Sequence, residues 1–206
     1  MADCCNDKAC EIEALRGRQS STLKIVLGIN AVMFVVELTA GLLGNSISLV
    51  ADSLDMLGDA LVYAFSLYVV ALGAAMKAKA ALFKGIIMAA FGFFVLGQAV
   101  YRIIYPQLPV FETIGAIGFL ALVANGLCFF LLWRHRADDI NMSSVWLCSR
   151  NDIIANISVL FAAAGVWATH SGWPDILVGL ALAALFLRSA LHVLSESIRE
   201  IRRTGA

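Results

Sequence analysis

The chain has 206 residues, 61% of them hydrophobic and 15% charged, with 15 basic and 15 acidic side chains that cancel to zero net charge. A mean hydropathy of +0.85 excludes a soluble globular domain, where about 25% charged residues is usual. The absence of a basic stripe excludes a nucleic-acid partner and leaves the lipid bilayer as the chain's surroundings.

Residues 1–21 form a polar segment unlike a secretory signal, which needs an apolar core. Its "DCCNDKAC" places Cys4, Cys5 and Cys10 within the first ten residues. In a reducing cytosol such thiols stay free of disulfides. They read either as a metal-acquisition element for soft ions or as incidental thiols of a disordered tail. Three of the chain's five cysteines in so short a stretch favour metal contact. "CEIEALRGRQ" carries a weak signal for a short surface helix leading into the first span.

Six apolar stretches follow, at about 22–43, 46–74, 82–105, 110–133, 143–168 and 173–196. About 20 apolar residues suffice to cross a hydrocarbon core as a helix. The expected fold is therefore all-α and integral to the membrane. A six-helix transport domain spans 22–198, between the cysteine-bearing tail and a short basic tail at 199–206. Breaks are expected at Gly44-Asn45, Lys77–Lys79, Pro106–Pro109, His135–Asn141 and Ser171–Pro174. If the spans alternate in direction, 12 of the 15 Lys and Arg residues fall on one side. The positive-inside rule makes that side cytoplasmic and puts both termini there.

The second span contains "ADSLDMLGDA", with Asp52, Asp55 and Asp59. An ionised Asp near mid-bilayer costs about 2.5–3.5 kcal/mol on insertion scales, so three need protons, a basic partner, water or a cation. Spacings of three and four residues put all three on one helical face, with Ser48 above and Tyr63 below. Asp55 and Asp59 lie roughly 15–20 Å from the span's start at 1.5 Å per residue, close to the midplane. The third span carries Gly85, Ala89, Gly92 and Gly97, small residues suited to close helix contact, either in a homodimer or within one protomer. The fourth carries Cys128, which reads as a packing residue.

In the fifth span, "SSVWLCSRNDIIANISVLFAA", Cys148, Asp152 and Asn156 recur at i, i+4 on one face. This helix runs opposite to the second, so Asp152 reaches the depth of Asp55 and Asp59. Asp55, Asp59, Cys148 and Asp152 then make a four-ligand set for a divalent cation. Arg150 is the rival partner for these acids, but it lies two residues from Cys148 and Asp152, on the other side of the helix. Asp52 reads as an outer-vestibule or supporting residue, and Asn156 is the reserve ligand.

These segments resemble the cation diffusion facilitators, exporters of divalent transition metals. The family's second span typically has Asp, two residues, His or Asp, three residues, then Asp; here these are Asp52, Asp55 and Asp59. Its fifth-span His-x-x-x-Asp is matched by Cys148-x-x-x-Asp152. Asn30, Glu37 and Gly41 are similar to its first helix, and "WPDILVGLALAALFLRSA", with Asp175 at the outer entrance, to its sixth. The resemblance covers about residues 22–200. It implies export by alternating access, with Asn30 and Glu37 either supporting the path or making interhelical hydrogen bonds. Three departures stand out. Cys148 replaces a His, the 4–5 loop "RHRADDINM" lacks a His-rich tract, and the chain ends before a ferredoxin-like C-terminal domain.

The expected activity is Zn²⁺ or Cd²⁺ efflux in exchange for H⁺, with no prosthetic group, in a bacterial cytoplasmic membrane. A thiolate disfavours Mg²⁺, Ca²⁺ and Mn²⁺, and thiol and carboxylate ligands shed protons when they bind metal. Two alternatives come from other classes. A membrane-embedded Mg²⁺-dependent phosphatidyltransferase also clusters aspartates, but "DSLDMLGDA" lacks the Gly after the second Asp and the following Ala-Arg pair. A proton-coupled small-molecule exporter needs only one acid and no cysteines.

Overall fold

A computed structural model describes residues 3–68, 74–133 and 140–204. The side chains of 1–20, 68–78 and 134–151, with a few others, lie outside the described set. The described residues form six helices: α1 (Asp3–Leu43), α2 (Ile47–Tyr68), α3 (Ala74–Ile104), α4 (Phe111–Trp133), α5 (Ile140–Thr169) and α6 (Trp173–Thr204). Five of them are long and apolar enough to cross a membrane; α2 is not. Its three aspartates are the reason, and its position resolves the difficulty.

α2 packs against all five other helices. On one side it meets α3 and α6 through Ile47, Val50 and Leu54, with Met88, Val95, Ala183 and Phe186 opposite. Another face meets α4 and α5 through Leu49, against Ile114, Val159 and Val166. Met56 joins Met33 of α1 and Ala121 of α4. Burial within protein thus replaces contact with lipid. The outer helices instead show lipid large apolar side chains such as Val32, Phe93, Phe130, Phe161 and Leu185. The protein is an all-α, multi-pass integral membrane protein.

Close backbone approaches fix the hairpins. A Cβ on Gly41 would sit 2.9 Å from the Val50 nitrogen, so α1 and α2 touch directly after their turn. The turn ends α1 with Asn45 in the left-handed region (φ 57°). Ser46 N donates to Gly41 O at 2.9 Å, which satisfies an otherwise orphaned carbonyl. Ser46 then caps α2, its Oγ accepting from Leu49 N at 3.1 Å.

One expectation needs correction. The break expected at Lys77–Lys79 falls inside α3, which starts at Ala74. Lys and Ala are good helix formers, so charge interrupts hydropathy there without interrupting the helix. The apolar spans Ser21–Leu43 and Trp173–Arg199 agree with the expected 22–43 and 173–196, while the helices that carry them run further, α1 from Asp3 and α6 to Thr204, because hydropathy marks where a helix leaves lipid rather than where it ends. The small residues of the third span do not form one free stripe. A Cβ on Gly92 would lie 2.5 Å from Leu187 and one on Gly85 2.9 Å from Leu194, both on α6 of the same chain, whereas Gly97 meets nothing within 4 Å.

Candidate metal centre

The acidic face of α2 lies inside the bundle, where α5 crosses it. Asp52 and Asp59 are buried, as is Asp152 of α5, and Asp55 is half-buried. Asp152 comes within hydrogen-bonding reach of both Asp55 and Asp59. Three of the four expected ligands are therefore brought together from two helices. Carboxyl groups in contact need a proton or a cation between them, since ionised neighbours repel. One oxygen of Asp152, Oδ2, is buried with no hydrogen-bond partner. Among the described residues no three His, Cys, Asp or Glu side chains surround a point that would hold a metal. Cys148 belongs to the α5 helix one turn before Asp152, but its side chain lies outside the described residues. The same is true of Cys4, Cys5, Cys10 and Arg150.

Polar neighbours fix the rest of the face. Tyr63, one turn below, donates its hydroxyl to Asp59 Oδ2 at 2.8 Å. Asn156 Nδ2 donates to both oxygens of Asp52, at 3.1 Å each. Its own carbonyl accepts from Asn125 Nδ2 of α4 at 3.3 Å, which sets the orientation of the amide. Asn156 is thus engaged with Asp52, which is itself buried. Asn125 escaped sequence reasoning; the signal was a lone amide in the apolar run "ALVANGLCFF".

Two residues of α1 complete the surroundings. Glu37 is fully buried, close enough to Asp52 and Asp55 to feel their charges, and neither of its carboxyl oxygens has a hydrogen-bond partner. Asn30 lies deeper, donating to Val26 O at 2.9 Å and to the sulfur of buried Cys128 at 3.7 Å. It therefore makes an α1–α4 contact, while Glu37 faces the acids of α2.

Asp175, in the first turn of α6, clasps the start of α2. Its Oδ1 accepts from Ser46 Oγ at 2.7 Å, Ser48 Oγ at 2.5 Å and Ser48 N at 3.2 Å, and its Oδ2 from Ile47 N at 2.6 Å. The N-termini of α2 and α6 meet here, and the carboxylate sits where two positive helix-dipole ends converge. Arg102 of α3 reinforces the same end of the bundle, donating to Asn45 and Gln107.

The family described as the cation efflux transmembrane domain matches residues 23–201. The chain is 24% identical over 203 residues to the metal cation efflux system protein CzcD of Cupriavidus metallidurans, covering 88% of this chain and 64% of that protein. It is 26% identical over 195 residues to the zinc transporter ZitB of Escherichia coli, covering 87% of this chain and 61% of ZitB. It is also 26% identical over 181 residues to a cadmium, cobalt and zinc/H(+)-K(+) antiporter of Bacillus subtilis, covering 80% and 57%. The chain spans less than two thirds of the length of these curated relatives.

Proposed function

The chain belongs to the cation efflux family, and from that premise we propose that it exports divalent transition-metal ions, Zn²⁺ or Cd²⁺, in exchange for protons. The carrying observation is the burial of Asp52, Asp59 and Asp152 on facing sides of α2 and α5, with Asp152 near enough to Asp55 and Asp59 to interact with them, inside an otherwise apolar bundle. Such a cluster is satisfied either by protons shared among the carboxyls or by a dication that displaces them. The two loads are mutually exclusive, and that exclusion is the chemical basis of exchange. Cys148, one helical turn from Asp152, supplies the fourth ligand and the preference for soft or borderline metals. The names of the relatives, which include zinc, cadmium and cobalt, support the same class of cargo.

In this reading both termini are cytoplasmic, the end bearing the α1–α2 turn faces outward, and metal enters from the opposite end. Cys4, Cys5 and Cys10 raise the local metal concentration at that entrance. The working unit is a homodimer in the bacterial cytoplasmic membrane. A phosphatidyltransferase is not favoured, because the family it would belong to is not the one matched.

Metal-driven proton flux through purified protein in proteoliposomes tests the proposal. Zn²⁺ should drive protons in the opposite direction, and Asp59→Ala and Asp152→Ala should each abolish both fluxes while the protein still inserts and folds. Near-normal Zn²⁺ transport by either variant would reject the shared site.

A further inference from the structure

A carrier that exchanges metal for protons must close its outer side while loading from the inner one. In this structure the outer end of α2 is shut. Ser46, Ile47, Ser48 and Asp175 are each no more than 3% exposed, and so are Leu49, Val50 and Ala51 between them and Asp52. An ion leaving Asp55 and Asp59 outward has to part α2 from its neighbours.

Along the α2–α6 seam, most of what holds the helices is apolar. Ile47, Val50 and Leu54 pack against Ile176, Ala183 and Phe186. A Cβ on Gly179 would lie 2.9 Å from the Ile47 carbonyl carbon, so the two backbones are in direct contact. Water cannot replace contacts of that kind without cost. Asp175 is different: it is a carboxylate joined to two hydroxyls and two backbone N–H groups, all of which water satisfies equally well. Its bonds can therefore be exchanged one for one as water enters.

We propose that Asp175 is the latch of an outer gate: it holds the start of α2 against α6, and its release opens the exit for the metal. The proposal deepens the transport reading and rests on it for what passes the gate, while the closed seam stands on geometry alone. Asp175 touches none of the aspartates at the centre; it is a positioning residue, acting through α2.

The test is accessibility from outside. Val50→Cys places a thiol on the α2–α6 seam itself, outward of Asp52, at a position now buried. A membrane-impermeant maleimide is applied to oriented proteoliposomes, with the protein lacking this substitution as the blank. Labelling should be slow when Asp175 is present. It should rise by about tenfold or more in Asp175→Ala, since several hydrogen bonds then no longer favour the closed population. Ser48→Ala, which removes one hydroxyl donor to Asp175 and leaves the Ser46 cap of α2 in place, should give an intermediate rate and carries the test if Asp175→Ala does not fold. Zn²⁺ binding to the purified variants should stay at the unsubstituted level. Unchanged labelling in the folded variants would overturn the latch, and so would faster labelling accompanied by loss of Zn²⁺ binding, which marks general loosening. Failure of the metal-site reading would appear separately, as Zn²⁺ transport that survives Asp59→Ala.

Discussion

Asn156 shows how one amide can be placed by spacing while its partner is not. Its place on the Cys148–Asp152 face follows from i, i+4 spacing, but its donation to Asp52 depends on how α5 meets α2, and its orientation on Asn125 of α4. No local pattern encodes a link across that distance. Asn156→Ala leaves a buried carboxylate without its donor, and stability should fall by about 1–3 kcal/mol; a reversible unfolding titration in detergent measures it. Asn156→Asp would be worse, because it sets a second acid against Asp52. Cys148 makes the complementary case at the same scale. Cys148→His should keep Zn²⁺ transport and shift discrimination away from Cd²⁺, because imidazole is the harder ligand. Cys148→Ser should weaken both, since a neutral hydroxyl offers neither softness nor charge. Affinities for both metals across a pH series decide this. Identical Cd²⁺-to-Zn²⁺ ratios in all three proteins would show the sulfur to be a packing group. Binding by every form should weaken as pH falls, because protons compete for the carboxylates.

Among the elements, α3 teaches most about small residues. The sequence shows Gly85, Ala89, Gly92 and Gly97 on one helix, and small residues permit close contact without naming the neighbour. For Gly85 and Gly92 the neighbour is α6 of the same chain; Gly97 faces outward with open space around it. Two substitutions separate the roles. Gly92→Ala forces a Cβ into Leu187, an overpacking that should cost about 1–3 kcal/mol of stability. Gly97→Leu should leave thermal stability nearly unchanged and, if this face meets a second copy, lower the dimer fraction counted by single-molecule photobleaching in bilayers. Stability lost at Gly97 and kept at Gly92 would reverse the assignment. The helix ends offer a similar lesson. The Gly44-Asn45 and Ser171–Pro174 breaks were legible because turn chemistry stops the helix itself. The one at Lys77–Lys79 was not, because only polarity changes there. Asp175 lies between these cases: its place at the end of α6 was visible, but its grip on Ser46 and Ser48, 129 and 127 residues away, needed the packed bundle.

At the scale of the whole molecule, the six-helix membrane class was readable from apolar run lengths. The acidic face of α2 was readable too, because three charges in lipid demand an explanation. What a hydropathy profile could not show is that α2 occupies the centre and touches every other helix. The amino-terminal segment is tested at the same scale. Removing residues 1–19 should lower transport when metal is scarce and leave the maximal rate intact, as loss of a tethered binding element does. An unchanged concentration dependence in vesicle uptake would mark its thiols as incidental.

The failure of α2 to qualify as a membrane span by itself also bears on how the protein is made. A nascent α2 leaving the ribosome would meet lipid with its aspartates uncovered, at about 2.5–3.5 kcal/mol for each one still ionised. The three-residue connection from Leu43 to Ile47 gives it no freedom to wait at a distance from α1. The two should therefore enter as a hairpin, with the strongly apolar first helix carrying the second. The acids remain unprotected until α3 to α6 have emerged and closed around them. The same buried carboxylates that mark the centre of the bundle thus make its second helix the vulnerable one during synthesis, dependent on sequence that has not yet been translated.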